Sequence, residues 1–179
     1  METRYCAVAV ILLLATQMAS AFTDPFVGRY VLNPSLSKYP SGTCPRRMVI
    51  EIESAGDGVH YRSDATYANG VRAHSEYTAD YNGKQSLVMG NHGMLLPVSL
   101  KRSNSHLVLA SYTKGFQVVA TSRRVVSKDG RRMTVTTLSK GRTGADVMTV
   151  GVYEKQRERQ VGRGHGSDAT LGLFLREVQ

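Results

Sequence analysis

The chain has 179 residues, 41% of them hydrophobic, which is enough for one domain with a full core of its own. Twenty-three Lys and Arg against fourteen Asp and Glu give a net charge of +9, which favours anionic partners over cationic ones. With two cysteines, Cys6 and Cys44, the fold cannot be a multi-disulfide scaffold.

Residues 1–21 are expected to be a signal peptide. Arg4 supplies a short charged region, and Ala7 to Ala15 (AVAVILLLA) is apolar but far shorter than the ~20 residues that span a bilayer. Ala19-Ser20-Ala21 is the small-x-small site a signal peptidase accepts, so cleavage is expected after Ala21 and the protein is expected to be exported, periplasmic or secreted. Cleavage removes Glu2 and Arg4 together and keeps the charge at +9. It leaves Cys44 alone, between Pro40 and Pro45, so no intrachain disulfide forms and the core must hold itself together. Asn33 is followed by Pro34, and no acceptable N-glycosylation triplet occurs elsewhere.

The domain itself is expected over residues 22–156. Phe22 to Leu32 opens it, with a strand beginning at Tyr30. Asn33 to Arg46 carries Pro34, Pro40, Gly42 and Pro45, breakers that leave a loop with at most one helical turn. Met48 to Ile52 alternates as a strand does and ends at the turn Ala55-Gly56-Asp57-Gly58.

Val59 to Thr66 and Ala73 to Tyr81 form the next pair. A two-residue Asn69-Gly70 turn would throw their apolar phases onto opposite faces. A three-residue Ala68-Asn69-Gly70 loop with left-handed Gly70 instead sets Tyr61 against Tyr77 and Val59 against Ala79, and this register is expected. A two-residue Asn82-Gly83 turn is then expected to place Tyr81 beside Lys84 and Tyr77 beside Val88.

Val98 to Arg102, Leu107 to Tyr112, Phe116 to Val126, Met133 to Leu138 and Val147 to Lys155 supply five further strands. The clearest hairpin is Ser122 to Thr137, where two Val-, Thr- and Arg-rich runs flank Lys128-Asp129-Gly130. About ten strands at near-regular spacing, each joined to the next by a short turn, predict an all-β fold: a single antiparallel up-and-down β-barrel. No βαβ alternation occurs, so nucleotide-binding α/β folds are excluded. From residue 157 to 179 the chain turns basic and Gly-rich, and a flexible tail is expected there.

No catalytic or metal-binding pattern stands out. His60, His74, His92, His106 and His165 are not at ligand spacing, and His60 points opposite to Tyr61 in the expected register. Neither a cofactor nor a metal is expected, and the protein reads as non-catalytic. Arg123, Arg124, Lys128, Arg131 and Arg132 gather around Asp129, with Arg46, Arg47, Lys101 and Arg102 adding to the field. Adjacent strand residues face opposite sides, so one of Arg123 and Arg124 is expected to enter the barrel as an anion anchor. Tyr61, Tyr77, Tyr81, Tyr112, Phe116 and Tyr153 are the aromatic residues available to line an amphipathic pocket.

Two ends of the domain carry a resemblance. Phe26-Val27-Gly28-Arg29-Tyr30-Val31-Leu32-Asn33 resembles the F-x-G-x-W-x-L-N opening of calycin-type barrels, the lipocalins and fatty-acid-binding proteins. Met148 to Lys155 (MTVGVYEK) resembles the closing strand of the fatty-acid-binding group, which commonly ends R-x-Y-E-K. AGDGVHYRSD, EYTADYNGK and TSRRVVSKDGRRMTVTT between them are similar to a family of secreted bacterial lipocalin-like proteins.

The resemblance implies a calycin barrel over roughly Phe26 to Gln156, but the chain departs from it at three places. Tyr30 stands where the opening has Trp. Gly151 stands where the carboxylate-gripping arginine would be, leaving only Tyr153 of that pair. Asn33 to Arg46 is too short for a helix-turn-helix lid.

The expected function is an exported, non-catalytic barrel that binds a small apolar or amphipathic ligand, anionic ligands included, through Tyr61, Tyr77, Tyr81, Tyr112, Arg123, Arg124 and Tyr153. The alternative is a structural or envelope-interaction protein that uses its basic surface against an anionic envelope and has a solid core. Nucleic acid is not an expected partner.

Overall fold

In the computed structural model the described residues are 24–141 and 143–157; the expected signal peptide and the expected tail beyond Arg157 lie outside them. Eleven strands follow one another: β1 (Gly28–Leu32), β2 (Arg47–Ala55), β3 (Gly58–Thr66), β4 (Arg72–Asp80), β5 (Asn82–Ser86), β6 (Met89–Gly90), β7 (Val98–Asn104), β8 (Leu107–Lys114), β9 (Gln117–Val126), β10 (Arg132–Lys140) and β11 (Asp146–Lys155). One 3₁₀ turn, Pro34–Leu36, is the only helical piece among the described residues, as the prolines of that loop dictate.

All strands join one curled antiparallel sheet in the order β5-β7-β8-β9-β10-β11-β1-β2-β3-β4-β6. The period of two that marks the strands is visible in their burial. In β3, Val59, Tyr61, Ser63 and Ala65 face inward while Arg62 and Asp64 face water.

The expected β3–β4 register is present. Tyr61 lies opposite Tyr77 and Val59 opposite Ala79. The Tyr67 amide donates to the Val71 carbonyl at 2.9 Å, which closes the three-residue loop, and Gly70 sits there at φ 80°.

The Asn82-Gly83 hairpin is a correction. Asn82 leaves β4 and pairs with Lys101 of β7, so Tyr81 and Asn82 form a corner at which the chain changes partner. The expected phase survives farther along, where Ser75 pairs with Gly90 and Glu76 with Met89. Between those points β4 meets β5 and β7 with no hydrogen-bonded ladder, leaving a seam down one side of the barrel.

Up-and-down order gives the barrel two unlike ends. At one end Asp24, Pro25 and Phe26 cross the opening, and Phe26 and Tyr30 are fully buried there with Ile52, Leu100, Val126 and Met133. The Tyr30 hydroxyl donates to the Pro25 carbonyl at 2.8 Å. Tyr81 Oη donates to Asp24 Oδ2 at 3.1 Å, Arg102 pairs with the same carboxylate, and the Arg102 guanidinium lies 4.0 Å from the centre of the Tyr81 ring. Burial first, and then the Asp24 charge, push the Tyr81 phenol up to about 12. These contacts plug the closed end.

The opposite end is the mouth. Its connections are residues 33–46, 67–71, 87–97, 115–116 and 141–145, and none is a lid helix among the described residues.

Candidate functional site

β9 carries the arginine pair, and its pleat separates the two side chains. Ser122, Arg124 and Val126 are buried, whereas Thr121 and Arg123 face water. Arg123 is thus outside the barrel, and the inward residue is Arg124, 4% exposed. Its Nη1 donates to Tyr77 Oη at 2.6 Å and its Nη2 to Tyr112 Oη at 3.1 Å. The guanidinium carbon lies 4.7 Å from the Tyr61 ring centre and 5.8 Å from that of Tyr77. Those two rings face each other because their residues are directly paired across β3 and β4; they stack with centroids 4.8 Å apart and planes 13° apart.

This is a buried cation whose immediate neighbours are neutral. Burial pushes the Tyr77 and Tyr61 phenols up, beyond what nearby Arg124 offsets, so they are not phenolate counter-ions at neutral pH. Burial works against the charge on Arg124, and the oxygens of Tyr77, Tyr112 and Tyr61 outweigh it, so the guanidinium stays protonated. Its donors meet two neutral phenol oxygens and its faces two rings, so no formal counter-charge lies among these contacts.

Arg124 borders a cavity of about 260 Å³ inside the barrel, so the interior is not solid. Met48, Ile50, Ala65, Val88, Met94 and Val135 make its apolar wall. Ser63, Ser122, Thr137 and Thr149 add hydroxyls, and Tyr39, Tyr67, Tyr112 and Tyr153 add phenols near the mouth. Among the described residues no Asp or Glu lines it.

Gly151 explains why the resemblance's arginine is missing without being replaced in place. A Cβ there would lie 2.7 Å from Tyr153 Cε2, 2.8 Å from the Tyr39 hydroxyl and 2.9 Å from the Tyr153 hydroxyl. The space of an absent side chain is filled by the phenols of Tyr39 and Tyr153, and the Tyr153 hydroxyl donates to Met48 Sδ at 3.2 Å. Burial raises the Tyr153 phenol well above its ordinary value.

The structure therefore gathers Tyr61, Tyr77, Tyr112, Arg124 and Tyr153 around one cavity. Three others fall elsewhere. Tyr81 belongs to the closed-end plug because the chain turns its corner there. Arg123 has the wrong strand parity. Phe116 is fully exposed at the tip of the β8–β9 turn. Tyr39 and Tyr67 were missed in the sequence because they come from irregular connections, where no periodicity assigns a face.

The remaining polar groups do not form a second centre. His60 sits on the outer face and hydrogen-bonds Thr78 Oγ1 at 3.0 Å. His74 Nδ1 pairs with Asp64 Oδ1 at 2.8 Å on the outer face of β3 and β4, with the carboxylate exposed, so this is not a buried acid–base pair in a cleft. Cys44 is a free, half-buried thiol whose pKa burial raises.

The sequence matches no family model and no curated protein. Among solved structures the fold is similar to zebrafish ileal bile acid-binding protein, solved in complex with cholic acid, at 14% identity and a TM-score of 0.47, with 74% of this chain and 99% of that chain covered.

Proposed function

We propose that this protein is an exported, non-catalytic binding barrel whose ligand is a small amphipathic anion. Its acidic group docks on Arg124, and its apolar body lies against Met48, Val88, Met94 and Val135. The observation that carries this reading is a nearly fully buried guanidinium in a cavity with no carboxylate in its wall among the described residues. A carboxylate or similar oxyanion supplies the missing counter-charge and accepts the donors that Tyr77 and Tyr112 leave unused, in the planar geometry guanidinium favours. The cavity falls below the ~300–1,000 Å³ of drug-sized ligand sites, which favours a compact ligand over a long acyl chain. Export rests on the charged, apolar and small-x-small order of residues 1–21.

Octanoate and octanol share a chain and differ in charge, so calorimetric titration with both isolates the anchor. The full chain should bind octanoate at least about tenfold more tightly, the worth of one charge-assisted pair. Arg124→Met should abolish the preference while still admitting octanol. Equal affinity for the two in the unaltered protein would refute the anionic reading.

A further inference from the structure

Carboxylates are missing from the connections at one end of the barrel, and exposed apolar side chains gather toward the same end. The mouth connections, residues 33–46, 67–71, 87–97, 115–116 and 141–145, contain no Asp or Glu at all. Lys38, Arg46, Arg47, Arg72 and Lys114 are exposed there or at the adjoining strand ends, and none forms an ion pair among the described residues. The nearby carboxylate at the start of β11, Asp146, is taken by Lys140 at 2.6 Å. The closed-end connections differ, since Asp24, Asp57 and Asp129 lie in them.

Exposed apolar side chains show the same bias. Phe116 is fully exposed, Leu87 is 78% exposed and Met89 62%, and Leu36 projects from the loop after β1. No exposed large apolar residue lies in a described closed-end connection. One exposed apolar residue is ordinary on its own, but Phe116, Leu87, Met89 and Leu36 all lie toward the end whose connections lack carboxylates.

We propose that the mouth end docks on an anionic lipid bilayer, with Phe116, Leu87 and Met89 entering the headgroup boundary and the five cations meeting lipid phosphates. Phe116 comes from the β8–β9 turn, and Leu87 and Met89 come from the segment at β6, so the prongs sit on two separate elements. That arrangement suits a fluid interface, which accepts isolated apolar side chains in any register, better than a shaped protein partner. Five cations unpaired among the described residues, beside connections that carry no carboxylate, complement a negative surface potential. The inference does not depend on what occupies the cavity, although it aims the mouth at the membrane.

The chain has no Trp, so a single introduced indole reports its own surroundings. Phe116→Trp and Asp57→Trp place it at the mouth and at the closed end of the full chain. This separates the mouth from any membrane affinity of the apolar N-terminal residues. With vesicles of phosphatidylcholine containing roughly a third phosphatidylglycerol, the emission of the Phe116→Trp variant should shift to the blue and be quenched by brominated acyl chains, while the closed-end indole should do neither. Pure phosphatidylcholine vesicles should bind at least about tenfold more weakly, and Lys114→Glu with unchanged thermal stability should lower anionic-vesicle affinity by about tenfold or more. Vesicle binding without a shift at the mouth indole, equal shifts in both variants, no vesicle binding, or binding to soluble polyglutamate as strong as to vesicles would each overturn the proposal.

Discussion

Arg124 Nη1 and Tyr77 Oη lie 2.6 Å apart inside the barrel, and the phenol is the nearest acceptor the guanidinium has. Tyr77→Phe keeps the ring that stacks on Tyr61 and removes only that acceptor. The empty protein should lose about 1–3 kcal/mol, the worth of a hydrogen bond to a charged group. Octanoate should then raise the melting temperature of the variant more than that of the parent, because the anion meets a less satisfied cation. Thermal unfolding with and without octanoate reads both effects.

Gly151 is required by its neighbours. A methyl group there would collide with both phenols of the Tyr39–Tyr153 pair, so Gly151→Ala should destabilise by about 1–3 kcal/mol as that pair is displaced. Gly151→Arg should not regain a second anion anchor, since it has to expel the same two rings. Calorimetric melting and octanoate titration of both variants check this.

At the closed end, Asp24 and Arg102 are each mostly buried, whereas Glu51 joins Arg29 and Arg62 on the more exposed outer face. Asp24→Asn should cost about 2–3 kcal/mol by stranding the Arg102 charge under the plug. Glu51→Gln should cost under about 1 kcal/mol, because water screens that triad. Urea unfolding of the two variants side by side should separate them clearly.

Alkali should unfold the barrel through its tyrosines. Tyr81 has a folded pKa of about 12 against an ordinary 10, so the native state holds its proton more tightly than the unfolded state. That stabilisation is complete below pH 10 and is lost as pH rises from 10 towards 12. The buried phenols of Tyr61, Tyr77 and Tyr153 shift in the same direction and add to it. Phenolate absorbance should rise together with the loss of native circular dichroism in that window, and Tyr81→Phe should make the stability profile shallower there.

Much of the fold is legible because the evidence for it is local. The Tyr61–Tyr77 pairing follows from counting residues across Ala68-Asn69-Gly70, and one of Arg123 and Arg124 had to face inward by strand parity alone. Which of the two faces inward depends on the registers with β8 and β10, which a lone strand does not reveal. Tyr81 was misplaced because Asn82-Gly83 has the composition of a tight hairpin, yet the strand after it pairs with β7. The competing partner lies many residues downstream, and nothing near Asn82 announces it. Tyr39 enters the cavity from a proline-broken loop, where side-chain direction is set by tertiary contacts.

The seam between β4 and its neighbours β5 and β7 gives Arg124 a second office. Elsewhere the barrel is closed by main-chain ladders, but across the seam the ties are side chains, and the Arg124–Tyr77 bond from β9 to β4 is one of them. The group proposed to meet an anion is therefore also a clasp on the wall. On the proposed function, a guest that drew the guanidinium from Tyr77 would loosen this tie across the seam as it filled the cavity.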